Sequence, residues 1–224
     1  MHPPPPFNAR AARALREKLG MAPGHVAYAM RTSFGTAHVT ADHIAAWERG
    51  SALPDPHELA ALAGALWCHP SEVMGHPRTL REHRIARGMS AEDVARATGL
   101  SLDAYVHMEE TGRWTGDQRQ SAKLGSLLGL PPRDHIAITG LEDELARLLT
   151  EAVSTRWQAH ARAIAKLISV ERKQLHGPLD SMYQEYQALM AATLSRASGS
   201  TASGEDGRRY VEEIVDHFWA RLPE

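Results

Sequence analysis

Apolar residues recur at helical spacing along nearly the whole chain, and no segment alternates as a strand would. The spacing predicts helices over residues 8–19, 23–30, 41–49 and 57–67, with a shorter one running from Pro70 to Gly75. Gly20 and Gly50 end the first and third of these, and Pro23 suits the first position of the second. Thr40 can cap the third, its hydroxyl accepting from a free amide of the first turn. Residues 31–38, Arg-Thr-Ser-Phe-Gly-Thr-Ala-His, read as a loop, and Pro54 and Pro56 mark a turn.

The same order returns further along. Helices are predicted over 79–87, 91–98, 102–110 and 117–128, with stops at Gly88, Gly99, Gly112 and Gly129 and caps at Ser90 and Ser101. Pro131-Pro132 then echoes His69-Pro70. Matching Arg16 to Arg84 gives an offset of 68 residues, whereas Glu48 to Glu109 gives 61. The seven-residue difference is an insertion in the first copy, between its second and third helices. Ordered surroundings in duplicate make this an internal repeat.

From Leu141 the pattern changes. Leu141, Leu145, Leu148, Leu149 and Val153 share one face of an amphipathic helix. Helices over 156–169 and 179–196 follow, separated near His176-Gly177-Pro178, and residues 198–204 have linker composition. The last helix, 208–221, carries Tyr210, Val211, Ile214, Val215, Phe218 and Trp219, a face that needs a partner in this chain or another. The expected architecture is therefore all-α. Its domains are 1–76 with an inserted loop at 31–38, a degenerate second copy at 77–140, and a helical domain at 141–224 for dimerisation or sensing.

Composition narrows the function. An apolar fraction of 43% and a charged fraction of 23% suit a soluble globular protein. No apolar run is long enough to span a membrane, the start lacks signal-peptide character, and Cys68 stands alone; a cytoplasmic location is expected. Cys68 reads as a buried filler. Residues 1–76 hold six Lys/Arg and six Asp/Glu, 77–140 nine and eight, and 141–224 ten and thirteen, so no domain is basic as a whole. Any nucleic-acid affinity must come from local patches such as Arg10, Arg13 and Arg16, or Arg78, Arg81, Arg84 and Arg87, doubled by dimerisation. The thirteen histidines show no metal-site spacing, and no phosphate loop, dinucleotide fingerprint or nucleophile elbow occurs. Neither an enzyme nor a cofactor is expected.

Residues 9–75 resemble the phage-repressor and Cro-like (xenobiotic-response-element type) helix-turn-helix family, common among bacterial transcription regulators. Leu15-Arg16 before Gly20, Val26-Ala27, Thr40 to Ile44, and Trp47-Glu48-Arg49-Gly50 with Pro54 carry the resemblance. Residues 80–137 resemble it again through Leu80-Arg81, Arg84, Gly88, Val94-Ala95, Gly99-Leu100-Ser101 and Glu109. The resemblance implies that the third helix of each copy enters the major groove, and that Arg16–Glu48 and Arg84–Glu109 form structural ion pairs. The glutamine with which such proteins often clamp a phosphate at helix two is replaced by Pro23 and Ala91.

Carried over, the base-facing positions of the first copy are Ala41, Asp42, His43 and Ala46, poor in the Arg, Asn and Gln that make bidentate base contacts. Arg10, Arg13, Arg31, Thr32, Ser33, Thr36, His38, Thr40 and Arg49 are the expected supporting DNA contacts. The second copy presents Leu102, Asp103, Ala104, Val106 and His107, followed by Glu109-Glu110, a face ill-suited to phosphate. The resulting expectation is a sequence-specific DNA-binding regulator, homodimeric on double-stranded DNA, whose second copy is structural. The alternative is a protein-interaction module that kept the fold and lost DNA reading. A protein or small-molecule effector is a further possibility, with Trp157, Tyr183 and Tyr186 as pocket candidates.

Overall fold

A computed structural model of the chain describes residues 3–196 and 203–222. Most of the expected 198–204 linker lies outside the described residues. The architecture is all-α: among the described residues there is no strand, only one antiparallel bridge between Phe7 and Met74. Two compact units divide the chain, Met1–Gly129 and Leu130–Glu224.

Among the described residues, nine helices form the first unit: α1 (Ala9–Lys18), α2 (Pro23–Ser33), α3 (Ala41–Glu48), α4 (Pro56–Ala65), α5 (Pro70–Val73), α6 (Leu80–Ala86), α7 (Ala91–Thr98), α8 (Leu102–Thr111) and α9 (Gln118–Leu128). Side-chain oxygens of Thr40, Asp55, Thr79, Ser90, Ser101 and Asp117 each accept an amide of the following first turn. Such a cap contributes about 1 kcal/mol, which matters for helices this short. Val26, Met30, Ile44, Trp47, Leu59, Leu62 and Val73 form a core that also takes in Ile85 and Ala86 of α6. Gly129 closes α9 in the left-handed region, and the Arg87 guanidinium lies where its side chain would stand while donating to the Leu128 carbonyl.

The proline-rich start is not a loose tail. Asn8 donates to the Val73 carbonyl at 2.8 Å, and Gly75 donates to the Pro6 carbonyl at 3.0 Å. Proline lacks an amide donor but keeps its carbonyl, so Pro6 can serve only in that role.

The loop expected over 31–38 is shorter in the structure. α2 continues through Ser33 because Met30 turns into the core and the Thr32 hydroxyl donates back to the Tyr28 carbonyl. The turn starts at Phe34, whose ring covers Gly64 of α4, where a β-carbon would fall 2.4 Å from it. Gly35, at φ +71°, supplies the reversal.

The second unit contains α10 (Pro132–Thr139), α11 (Glu142–Ser154), α12 (Trp157–Leu167), a 3-10 turn at Arg172–Leu175, α13 (His176–Arg196), α14 (Ser203–Glu212) and α15 (Ile214–Trp219). Its core joins Leu145, Leu149, Ile164, Leu175 and Phe218, and Ile136 of α10 belongs to it. The break expected near 176–178 falls earlier, over 168–175, since Pro178 sits in the first turn of α13, where its missing amide costs nothing. The expected last helix is interrupted at Glu213, and Tyr210, Ile214 and Phe218 are buried. That apolar face packs on α11 and α13, so the unit itself supplies the partner. No described helix is long and apolar enough to cross a membrane.

Candidate nucleic-acid interface

Each of the two helix sets in the first unit is locked by an arginine of its first helix. Arg16 Nε donates to Glu48 Oε1 at 2.6 Å and Nη2 to Glu48 Oε2 at 2.7 Å, while Nη1 donates to the Met21 carbonyl at 2.7 Å. Arg84 makes the corresponding bonds, to Glu109 at 2.6 and 2.9 Å and to the Met89 carbonyl at 3.0 Å. Both guanidiniums thus tie their first helix to the end of the third and to the turn before the second. The Glu48 bonds hold the Arg16 pKa above its ordinary value against the opposing effect of burial. These residues fix geometry and leave no charge for a ligand.

With Ile44 and Trp47 buried, α3 turns Asp42, Ala45, Ala46 and Arg49 outward at i, i+3, i+4 and i+7. Ala41 and His43 are exposed at its start. Sequence reasoning missed Ala45, which shares this face; only the burial of its neighbours reveals it. His43 is less available than expected, because its Nδ1 accepts from the Thr40 amide at 3.1 Å. Its ring also lies 6.3 Å from that of His38 and 6.4 Å from Trp47.

The expected supporting contacts divide sharply. Arg10 and Arg49 are exposed and unpaired among the described residues. Arg13 is paired with Glu17 at 2.8 Å, and Arg31 donates to the Val39 carbonyl at 2.7 Å, bracing the turn before α3. His38 lies 2.7 Å from a Glu58 oxygen. Thr32 and Ser33 are exposed on the last turn of α2. Thr36, expected to meet DNA, is 1% exposed with its hydroxyl unpartnered, so it is removed from any interface. Its position beneath the shortened turn, rather than out on a loop, is the cause.

Electrostatics separate the two sets. The first turn of α2 carries no acid, whereas α7 opens with Glu92 and Asp93. A bond from Ser90 and the nearby Arg96 hold Asp93 below its ordinary carboxylate pKa, and Arg96 is itself bound to Glu92 and Asp93. The positive end of a helix dipole attracts phosphate, and two carboxylates there oppose it. Of the second arginine patch, Arg84 and Arg87 are committed to internal bonds, which leaves Arg78 and Arg81. Leu102 stands 44% exposed on α8 beside Asp103. Trp114 donates to the Ser121 hydroxyl at 2.8 Å and packs over Gly116, a structural role.

Elsewhere, no group of acidic, histidine and cysteine side chains suited to a metal occurs among the described residues. Cys68, expected to be buried, is only half-buried against the first core, and that burial pushes its thiol up to about 11. In the second unit Trp157 and Tyr183 line an open cleft of about 530 Å³. Tyr186 instead packs against the unit's core.

Residues 78–137 match the family model described as a helix-turn-helix domain. No curated protein and no solved structure matches the chain. The match covers α6 to α9 and most of α10, so the chain contains a helix-turn-helix domain built around the Arg84–Glu109 pair.

Proposed function

We propose that this chain is a sequence-specific DNA-binding transcription regulator with two tandem Cro-like units, of which the first reads duplex DNA. The contrast between the helix-two starts carries the choice: α2 offers an acid-free positive end, whereas α7 places two carboxylates there. In this reading α3 enters the major groove with Asp42, Ala45, Ala46 and Arg49 toward the bases, while Arg10, Thr32 and Ser33 meet phosphates. The second unit of the repeat serves as a structural extension, its α6 completing the core of the first. A bacterial, cytoplasmic homodimer fits the weak electrostatics of one such reader. The subunit contact, expected from the sequence on residues 141–224, falls in this reading on the first unit instead, because the last helices of the second unit bury Ile214 and Phe218 in its own core while Tyr28, Leu53 and Trp67 stand exposed on the first; Trp67 is 89% exposed.

Selection of bound sequences from random duplexes tests the proposal. Wild type should enrich one site, Asp42→Ala/His43→Ala/Arg49→Ala should lose it, and Asp103→Ala/His107→Ala should keep it. No enrichment by wild type would leave the fold as a protein-interaction module. Enrichment lost only in the second variant would move the reader to α8.

A further inference from the structure

Charge in the second unit is sorted by element. Residues 130–224 carry eleven Lys/Arg and fourteen Asp/Glu, an acidic balance. Yet residues 156–173 hold Arg156, Arg162, Lys166, Arg172 and Lys173 against Glu171 alone. All five cations are exposed.

Pairing sharpens the contrast. Outside this strip, Arg133 pairs with Asp216, Arg147 with Glu144 and Glu151, Arg208 with Glu205 and Glu212, and Arg221 with Glu185, while Arg209 alone of the described arginine side chains there has no ion pair among the described residues. None of the five strip cations forms an ion pair among the described residues, although the unit has acids to spare. Their geometry follows from packing. Ala161, Ile164 and Ala165 turn α12 inward, which leaves Arg162 and Lys166 one turn apart on the opposite face. Exposed Ala159 and Ala163 flank them, so the side beside these two cations carries little bulk to keep an extended polyanion at a distance. Ser169, at φ +58°, reverses the chain into the 3-10 turn that carries Arg172 and Lys173 and packs against α12.

We infer that this strip is a second, sequence-independent contact to the phosphate backbone of duplex DNA. The inference rests on the DNA-binding reading and supplies what the first unit lacks. There Arg16, Arg84 and Arg87 are spent on internal bonds and Arg13 on Glu17, so the α2–α3 reader neutralises few phosphates alone. Each phosphate neutralised releases counterions, so added cations strengthen binding without adding sequence information.

The test is the salt dependence of duplex binding by the full chain, read by fluorescence anisotropy from roughly 50 to 200 mM salt. Arg162→Ala/Lys166→Ala and Arg172→Ala/Lys173→Ala, on exposed positions, should keep the wild-type circular dichroism and the wild-type selected site. Each double variant should lower the steepness of log K against log salt by nearly 2, about 0.9 per lost phosphate contact, and weaken binding at 0.1 M salt by about tenfold or more. Arg162→Lys/Lys166→Arg should retain the wild-type slope. Unchanged slopes in both alanine variants would overturn the inference, and so would a change in subunit mass instead of slope, which would assign the strip to an acidic face of a second copy. If wild type binds no duplex, the DNA-binding reading falls and this with it. If the α3 variant loses its site while the strip variants keep their slopes, this inference alone falls.

Discussion

Replacing Glu48 by alanine strands a nearly buried guanidinium. The Arg16 side chain is 11% exposed and the Glu48 side chain 9%, so water cannot readily replace the two bonds removed. Arg16 would keep its bond to the Met21 carbonyl and a looser ion pair to the half-exposed Glu17 at 3.8 Å, neither of which replaces the two short bonds lost. Charge-assisted bonds contribute about 1.5–3 kcal/mol each, and stranding one member of a buried pair costs about 3–5 kcal/mol. Glu48→Ala should therefore destabilise by about 3–4 kcal/mol. Glu48→Gln keeps one acceptor and should cost roughly half as much. Arg16→Met/Glu48→Leu removes both charges and should return to within about 1 kcal/mol of wild type. Urea denaturation followed by far-UV circular dichroism would measure the cycle. Hydrogen exchange of peptides in α1 and α3 would localise it, because a chain of two units can unfold in two steps. A Glu48→Ala cost below about 1 kcal/mol, or a double variant as damaged as the sum of the single ones, would refute the reasoning.

Three further outcomes are expected. Thr36→Val removes a buried hydroxyl that has no partner, so it should stabilise by about 1 kcal/mol in thermal melts and leave DNA affinity unchanged; a loss of affinity would restore Thr36 to the interface. Burial lowers the His135 pKa, so below its ordinary value of 6.5 the unfolded chain binds a proton that the folded chain resists. Stability should fall as pH drops through that region and be retained above it, and His135→Leu should flatten the profile; a wild-type profile that is flat or inverted would contradict the assignment. With its pKa at about 11, Cys68 should alkylate with iodoacetamide near neutral pH on the order of a hundredfold more slowly than an unperturbed thiol, and parity with a free thiol would sink that view.

Much of the fold was legible because its punctuation is local. Glycines at 20, 50, 88, 99, 112 and 129 all adopt positive φ where the helices stop, and Thr40, Ser90 and Ser101 cap where their spacing requires. Tertiary choices were not local. Nothing in the Arg-Thr-Ser stretch says that Met30 will hold α2 helical past it, or that Phe34 will settle on Gly64 and draw Thr36 inward. The same holds for the charges. Arg10, Arg13 and Arg16 look alike in sequence, yet one is unpaired, one faces Glu17 and one is buried against Glu48. The strip on α12 was hidden for the converse reason, because an acidic domain average masked five cations gathered on neighbouring elements.

The bridge from Phe7 to Met74 governs how the chain must be made. On a ribosome, α1 emerges long before the residues that pin its leading segment, and Ile85 and Ala86, which finish the same core, come later still. Contacts so far apart in sequence delay closure of the nucleus and lengthen the interval in which Val26, Met30 and Trp47 lack their cover. A translational pause before residue 86 has cleared the ribosome would hold the chain in a state open to chaperones and proteases, whereas one after it has emerged would find the first helix set already closed.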